Sequence, residues 1–336
     1  MKRSMMTMAA VGAAALALAA CGSSNTLEGG SPDSTTIVVG SQDYYSNEIL
    51  AEVYAQALEG AGFSVERQLR IGQREVYMPE LSAGSIDVFP EYTGNLLQYL
   101  QPDAQARTSE DVYRDLSAAL PSGLRALDQA AATDQDSYVV TTAFASEHSV
   151  ASIGDLAGVT PLVLGGNSEL QTRPYGPTGL QQTYGVTVSF TPIEDSGGPL
   201  TVKALTDGTI QLANIYSSDP SLANGDLTVL ADPAGMFLSS HVVPLASSRV
   251  SAEAASVLNS VSAALDASDL IEMNRASTQE QKSVLADRSG LADFGGIRVL
   301  TTPGRLGGCA QGRWPRPRPP AASPRLEADT QATHFV

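Results

Sequence analysis

The sequence predicts an α/β protein built as two lobes with a ligand cleft between them. Three observations carry this. Short apolar strands alternate with helices in two successive blocks, which are followed by a helical return. A pattern L-x-x-G-x-I-x-[VL]-x-x-x-Y-[TS] occurs twice, at Leu81–Thr93 and at Leu205–Ser217. In each copy a helix ends at a glycine, a strand follows, and a tyrosine (Tyr92, Tyr216) stands at the strand's carboxyl end. At 336 residues with 43% apolar content the chain is long enough for two cores. Ligands of open α/β sheets bind beyond the carboxyl ends of strands, where both tyrosines stand.

The elements follow in order. Ile37–Val39 is a short buried strand, and Tyr44 and Tyr45 lie in the loop after it, where they could line the cleft. Ser46 caps a helix whose apolar face is Ile49, Leu50, Val53, Ala57 and Leu58, ended by Gly60 and Gly62. Val65–Leu69 is a strand, and Gly72 opens a turn into a helix ending at Gly84. Ile86–Phe89 is a strand that Pro90 stops. Ser109–Asp111 begins a helix with acids in its first turn, and Leu124–Leu127 is strand-like. The second block has strands at Tyr138–Thr142, Leu162–Leu164, Val186–Phe190, Ile210–Ile215, Thr228–Ala231 and Val242–Leu245. Its helices fall at 152–158, 179–184 and 200–207. Helices at 252–265 and 270–274 close the folded part. This alternation implies largely parallel sheets, with lobe one at 36–135 plus 246–290 and lobe two at 136–245. Gly165–Ser168 offers a turn that could hold an anion.

Charge excludes one class of partner. Eight of the 20 basic residues lie at the chain ends (Lys2, Arg3 and six arginines after residue 297), with only two of the 36 acids. Residues 4–297 therefore carry twelve basic against thirty-four acidic groups, a net charge of −22. Such a body lacks the basic face that nucleic acid needs and tolerates a cationic ligand. Two cysteines (Cys21, Cys309) and three scattered histidines make neither a disulfide framework nor a metal site, so no metal or other cofactor is expected.

The ends read differently from the body. Lys2 and Arg3 precede an apolar run, Met5–Ala20, too short to span a bilayer, which ends in L-A-A-C. This resembles the lipobox of bacterial lipoproteins, which implies cleavage before Cys21, lipidation of Cys21 and a membrane-anchored, extracytoplasmic protein. Residues 22–35 are a Gly/Ser-rich tether. Residues 291–336 are Gly/Pro/Arg-rich, without periodicity, and read as a disordered tail.

Three segments together resemble a known family. I-V-V-G-S-Q-D-Y-Y-S-N-E-I-L-A-E from Ile37, P-E-Y-T-G at 90–94, and I-Y-S-S-D-P at 215–220 are similar to the glycine betaine/choline-binding, osmoprotectant-type substrate-binding lipoproteins of ABC transporters. The resemblance covers about 36–282 and implies a two-lobed periplasmic-binding-protein fold of type II, a quaternary ammonium ligand, an ABC permease as partner, a monomer and no catalysis. In that family tyrosines cage the ammonium and an arginine holds the carboxylate. Carried over, the cage positions are Tyr92, Tyr138 and Tyr216, with His241 where the family commonly has tyrosine, and Arg173 is the carboxylate ligand. Ring faces suit a quaternary ammonium because it has no N–H to donate.

Other classes predict different placements. A receptor for another solute, such as an amino acid, would share the fold. A surface scaffold would turn the tyrosines into the cores. A hydrolase would need a nucleophile beside His148 or His241, yet the chain has no G-x-S-x-G, H-E-x-x-H or P-loop motif.

Overall fold

The computed structural model describes residues 36–281. The expected signal segment, Cys21, the tether, residues 282–290 of lobe one and the tail lie outside the described residues.

The first block runs β1 (Ile37–Gly40), α1 (Tyr45–Gly60), β2 (Val65–Gln68), α2 (Arg74–Ala83), β3 (Val88–Tyr92), α3 (Thr93–Leu100), α4 (Ser109–Ala119) and β4 (Leu124–Ala126). The second runs β5 (Asp136–Thr141), α5 (Thr142–His148), β6 (Val163–Gly166), α6 (Pro177–Tyr184), β7 (Ser189–Pro192), α7 (Pro199–Thr206), β8 (Leu212–Tyr216) and β9 (Leu227–Val229). The return is β10 (Val242–Ser247), α8 (Ala252–Ala264) and α9 (Ala267–Thr278).

Two five-stranded sheets form, ordered β2-β1-β3-β10-β4 and β7-β6-β8-β5-β9. They share one plan. Three strands are parallel, and the fourth, β10 or β5, is antiparallel to both its neighbours. The sheets are thus mixed rather than largely parallel. The odd strand in each is the one reached by a crossing from the other block, so it enters against the local direction. β10 was expected in lobe two, but it pairs with β3 from Val242↔Tyr92 to Ala246↔Val88, which places 242–247 in the first sheet.

Side-chain alternation sets the layers. On β3, Phe89 packs with Tyr77, Leu81, Leu97 and Leu116 under α2, α3 and α4. Val88, its neighbour, packs on the other face with Tyr54, Leu58 and Leu258 under α1 and α8. The second sheet repeats this, with Tyr138, Leu164 and Leu212 on one face and Val139, Ala213 and Ile215 on the other.

Three local expectations change. Pro90 does not stop its strand, because β3 runs on to Tyr92. The carbonyl of Pro90 accepts from Asn47 Nδ2 at 2.9 Å, on the side away from β10, and the carbonyl of Pro244 accepts from Leu127 N–H at 2.9 Å, on the β4 side. The two prolines are opposite each other in register, so neither N–H is due on the β3–β10 ladder, and on the β4 side the Leu127 carbonyl accepts from the Tyr113 hydroxyl at 2.9 Å instead. Helix α1 starts at Tyr45 with Tyr44 as its N-cap, and the Ser46 hydroxyl donates to Asp134 instead of capping. Helix α3 begins directly after Tyr92, over residues to which the sequence assigns no element.

Gly94 explains the last residue of P-E-Y-T-G. A Cβ there would lie 2.7 Å from the Ser239 carbonyl oxygen, 2.8 Å from that of Leu238 and 2.9 Å from Leu238 Cβ. The obstacle is backbone from the segment crossing back to β10, which no rotamer change relieves. We expect Gly94→Ala to lower unfolding free energy by about 1–3 kcal/mol, read from the urea midpoint; an unchanged midpoint would show that this approach is not tight.

Candidate ligand cleft between the lobes

Tyr92 is the last residue of β3 and Tyr216 the last of β8, the same position in the two sheets. Tyr44, at the end of the β1–α1 loop, lies between them. Its ring centroid is 6.4 Å from that of Tyr92 and 5.5 Å from that of Tyr216, the latter edge-on at 66°. These contacts join the lobes through aromatic faces. Asn47 Nδ2 donates to the Tyr92 hydroxyl at 3.3 Å, fixing that ring from the first turn of α1.

The cleft encloses about 30 Å³ of free space, room for roughly one or two waters. Besides the three rings, Tyr175, Asp134, Asp136, Arg74 and Arg173 line it. The acids lie on the segment that leads from the first sheet into β5. Asp134 Oδ1 accepts from the Ser218 hydroxyl at 2.6 Å, and Oδ2 accepts from the Ser46 hydroxyl at 3.3 Å and the Tyr44 hydroxyl at 3.4 Å. Asn274 Nδ2 from α9 donates to Ser218 Oγ at 2.8 Å. Burial pushes the Asp134 carboxyl up to about 6, against the lowering effect of the Ser218 and Ser46 bonds. Asp136 is also raised by burial, partly countered by donors on Asn214 and Asn95. Neither acid is in an ion pair among the described residues.

Both arginines in the cleft are paired. Arg74 donates through Nε at 3.0 Å and Nη2 at 2.8 Å to Glu91, the acid of P-E-Y-T-G, which also accepts from the Tyr77 hydroxyl. Arg173 donates to Glu75 from Nη1 at 2.7 Å and Nη2 at 3.3 Å, across the cleft, with its guanidinium 5.6 Å from the Tyr99 ring centre. The turn that presents Arg173 and Tyr175 is tight: a Cβ on Gly176 would lie 2.0 Å from the Leu170 carbonyl oxygen. Tyr45 adds a further link between the lobes, donating to Asp219 at 2.8 Å.

Of the residues singled out in the sequence, Tyr92, Tyr216 and Arg173 meet in the cleft, with Tyr44 joining them. Tyr138 and His241 are not among its lining residues. Tyr138 is fully buried on the core face of β5, packs edge-on to Phe237 at 5.2 Å, and donates to the Tyr175 carbonyl. It thus props up a cleft residue from behind. His241 sits 2.8 Å by Nδ1 from the Ala130 carbonyl, and its main chain exchanges bonds with Thr93. That ring braces the two crossing segments. Ser168 of the Gly165–Ser168 turn donates its N–H to Glu194 at 3.3 Å, while Asn167 lines the cleft. The sequence reading missed Tyr175, Arg74, Asp134 and Asp136. Tyr175 is flanked by Pro174 and Gly176, a backbone signal beside Arg173 that could have revealed it; the others carry no local signal.

Two mixed sheets on one plan, with a cleft lined from both, define a two-lobed solute-binding protein. The chain belongs to the OpuAC family, the substrate binding domain of ABC-type glycine betaine transport systems, whose profile matches residues 35–287. Members are extracytoplasmic solute-binding components of ABC importers, not enzymes. The glycine betaine-binding protein YehZ of Escherichia coli (strain K12) is 25% identical over 271 residues, 75% of this chain and 88% of that protein. The crystal structure of a glycine betaine/carnitine/choline ABC transporter protein superposes with a TM-score of 0.60 at 19% identity, covering 74% of this chain and 94% of that one. Lactococcal OpuAC, closed on glycine betaine, gives a TM-score of 0.53 at 16% identity, covering 74% and 92%. These two likenesses are of fold.

The raised Asp134 carboxyl has a signed consequence for stability. Its ordinary value is 3.8 and its folded value about 6, so the folded state holds the proton more tightly than the unfolded chain. Stability from this group is present below pH 4 and is lost as pH rises through 6, by up to about 3 kcal/mol. We expect Asp134→Asn to flatten the fall in urea midpoint between pH 4 and 7 relative to wild type; parallel pH profiles would refute the assignment.

Proposed function

We propose that the protein captures a small quaternary ammonium solute, such as glycine betaine, choline or carnitine, between its lobes and delivers it to the permease of an ABC importer. The observation that carries this reading is the meeting of Tyr92, Tyr216 and Tyr44 beside two buried carboxylates. A quaternary ammonium offers no N–H, so it is held by ring faces and nearby negative charge, and each desolvated ring contributes roughly 0.5–2 kcal/mol. Asp134 and Asp136 supply the charge. Arg173 offers a fork to a ligand carboxylate where there is one. The names of the relatives point the same way.

The lobes are assigned to 36–135 with 242–281, and to 136–241, and they close about the two crossing segments. Closure brings both tyrosine-bearing strand ends to one ligand. Lipid on Cys21 would keep the monomeric receptor at the outer face of the membrane, on the tether of 22–35.

Calorimetric titration against a panel of quaternary amines and amino acids tests the ligand class. Alanine at Tyr44, Tyr92 or Tyr216 is expected to weaken binding roughly two- to thirty-fold each. Binding of an amino acid and of no quaternary amine would overturn the ligand class. For the anchor, Cys21→Ser should move the protein from the membrane fraction to the soluble fraction of the bacterium that makes it. An unchanged distribution would exclude lipidation there.

A further inference from the structure

We propose that Glu75 is a built-in competitor for the ligand's carboxylate, and that it sets the preference of the site between quaternary ammonium solutes with and without one. This rests on the ligand class proposed above and concerns the same cleft.

Two guanidinium groups line the cleft, and a lobe-one carboxylate occupies the fork of each. The two pairs are built differently. Glu91 is 0% exposed in its side chain, accepts from Arg74, Tyr77 and the Tyr92 N–H, and cannot leave without stranding several buried donors. Glu75 lies in the first turn of α2, its side chain is 52% exposed, and Arg173 is its only side-chain partner among the described residues. Water can take Glu75 at little cost. Arg173 cannot follow, because its side chain is only 10% exposed and rests over Tyr99.

The arrangement is therefore an exchangeable one. Glu75 presents two oxygens to Nη1 and Nη2 in the way a ligand carboxylate would. A zwitterion such as glycine betaine must displace it and then sit beside its negative charge. A cation such as choline engages the rings and the buried acids and leaves the Arg173–Glu75 pair closed across the cleft. Glu75 thus penalises carboxylate-bearing ligands and leaves carboxylate-free ones alone.

Glu75→Gln keeps the shape of the side chain, removes the competing charge, and changes a half-exposed position, so folding is retained and checked by thermal unfolding. Titrations with glycine betaine and with choline are compared for wild type and variant. We expect glycine betaine to bind about five- to tenfold more tightly to the variant, with choline unchanged, and Arg173→Ala added to Glu75→Gln should abolish the gain. Parallel weakening of both ligands would show that Glu75 only latches the lobes and would overturn the proposal. No change for either would overturn it as well. If wild type and variant both bind neither ligand, the ligand class itself fails and the proposal falls with it.

Discussion

The site depends on the two segments that cross between the sheets. One leaves β4 and enters the second sheet as β5, where Asp136 pairs in register with Tyr216. The other leaves β9 and enters the first sheet as β10, where Val242 pairs with Tyr92. Each tyrosine-bearing strand end is thus held by a strand that came from the opposite lobe. The crossings also bring their own polar groups. Asp134 sits on the first, and the hydrogen bond it accepts from Ser218, just after β8, ties that crossing to the second lobe. His241 and Gly94 serve the same junction, one by its bond to Ala130, the other by giving room to the 238–239 backbone.

The electrostatics of the cleft follow from this junction. The first crossing carries Asp134 and Asp136 into a buried place, and the carboxylates are accommodated there only because donors on Ser46, Ser218 and Asn95 face them. The arginines are neutralised by acids from lobe one, while Asp134 and Asp136 have hydrogen bonds but no counterion among the described residues. The excess of negative charge suits a cation between the rings. It also accounts for the raised Asp134 carboxyl, since burial without a counterion disfavours the charged form.

The P-E-Y-T-G segment shows why a short motif can be specific. Pro90 sits at a strand position that needs no donor. Glu91 closes a buried pair with Arg74, Tyr92 reaches the cleft, the Thr93 hydroxyl receives the His241 N–H, and Gly94 admits the crossing backbone. Five consecutive residues meet five different constraints, and only one of the five lines the cleft.

The sequence alone determined the α/β class, the two blocks, the helix ends at Gly84 and Gly208, and the tyrosines at equivalent strand ends. These are local properties, set by periodicity, by glycine's tolerance of positive φ and by the short-range order of helix, turn and strand. Arg173 too could be read from its Pro/Gly-rich turn together with the family resemblance. Tertiary structure alone decided which sheet β10 joins, which face of β5 Tyr138 occupies, and where His241 points. It also brought Asp134, Asp136 and Arg74 to the cleft. These depend on pairings between residues far apart in the chain, such as Val242 with Tyr92 and Arg74 with Glu91. A strand's own alternation says that successive residues face opposite sides, but not which side is core and which is cleft.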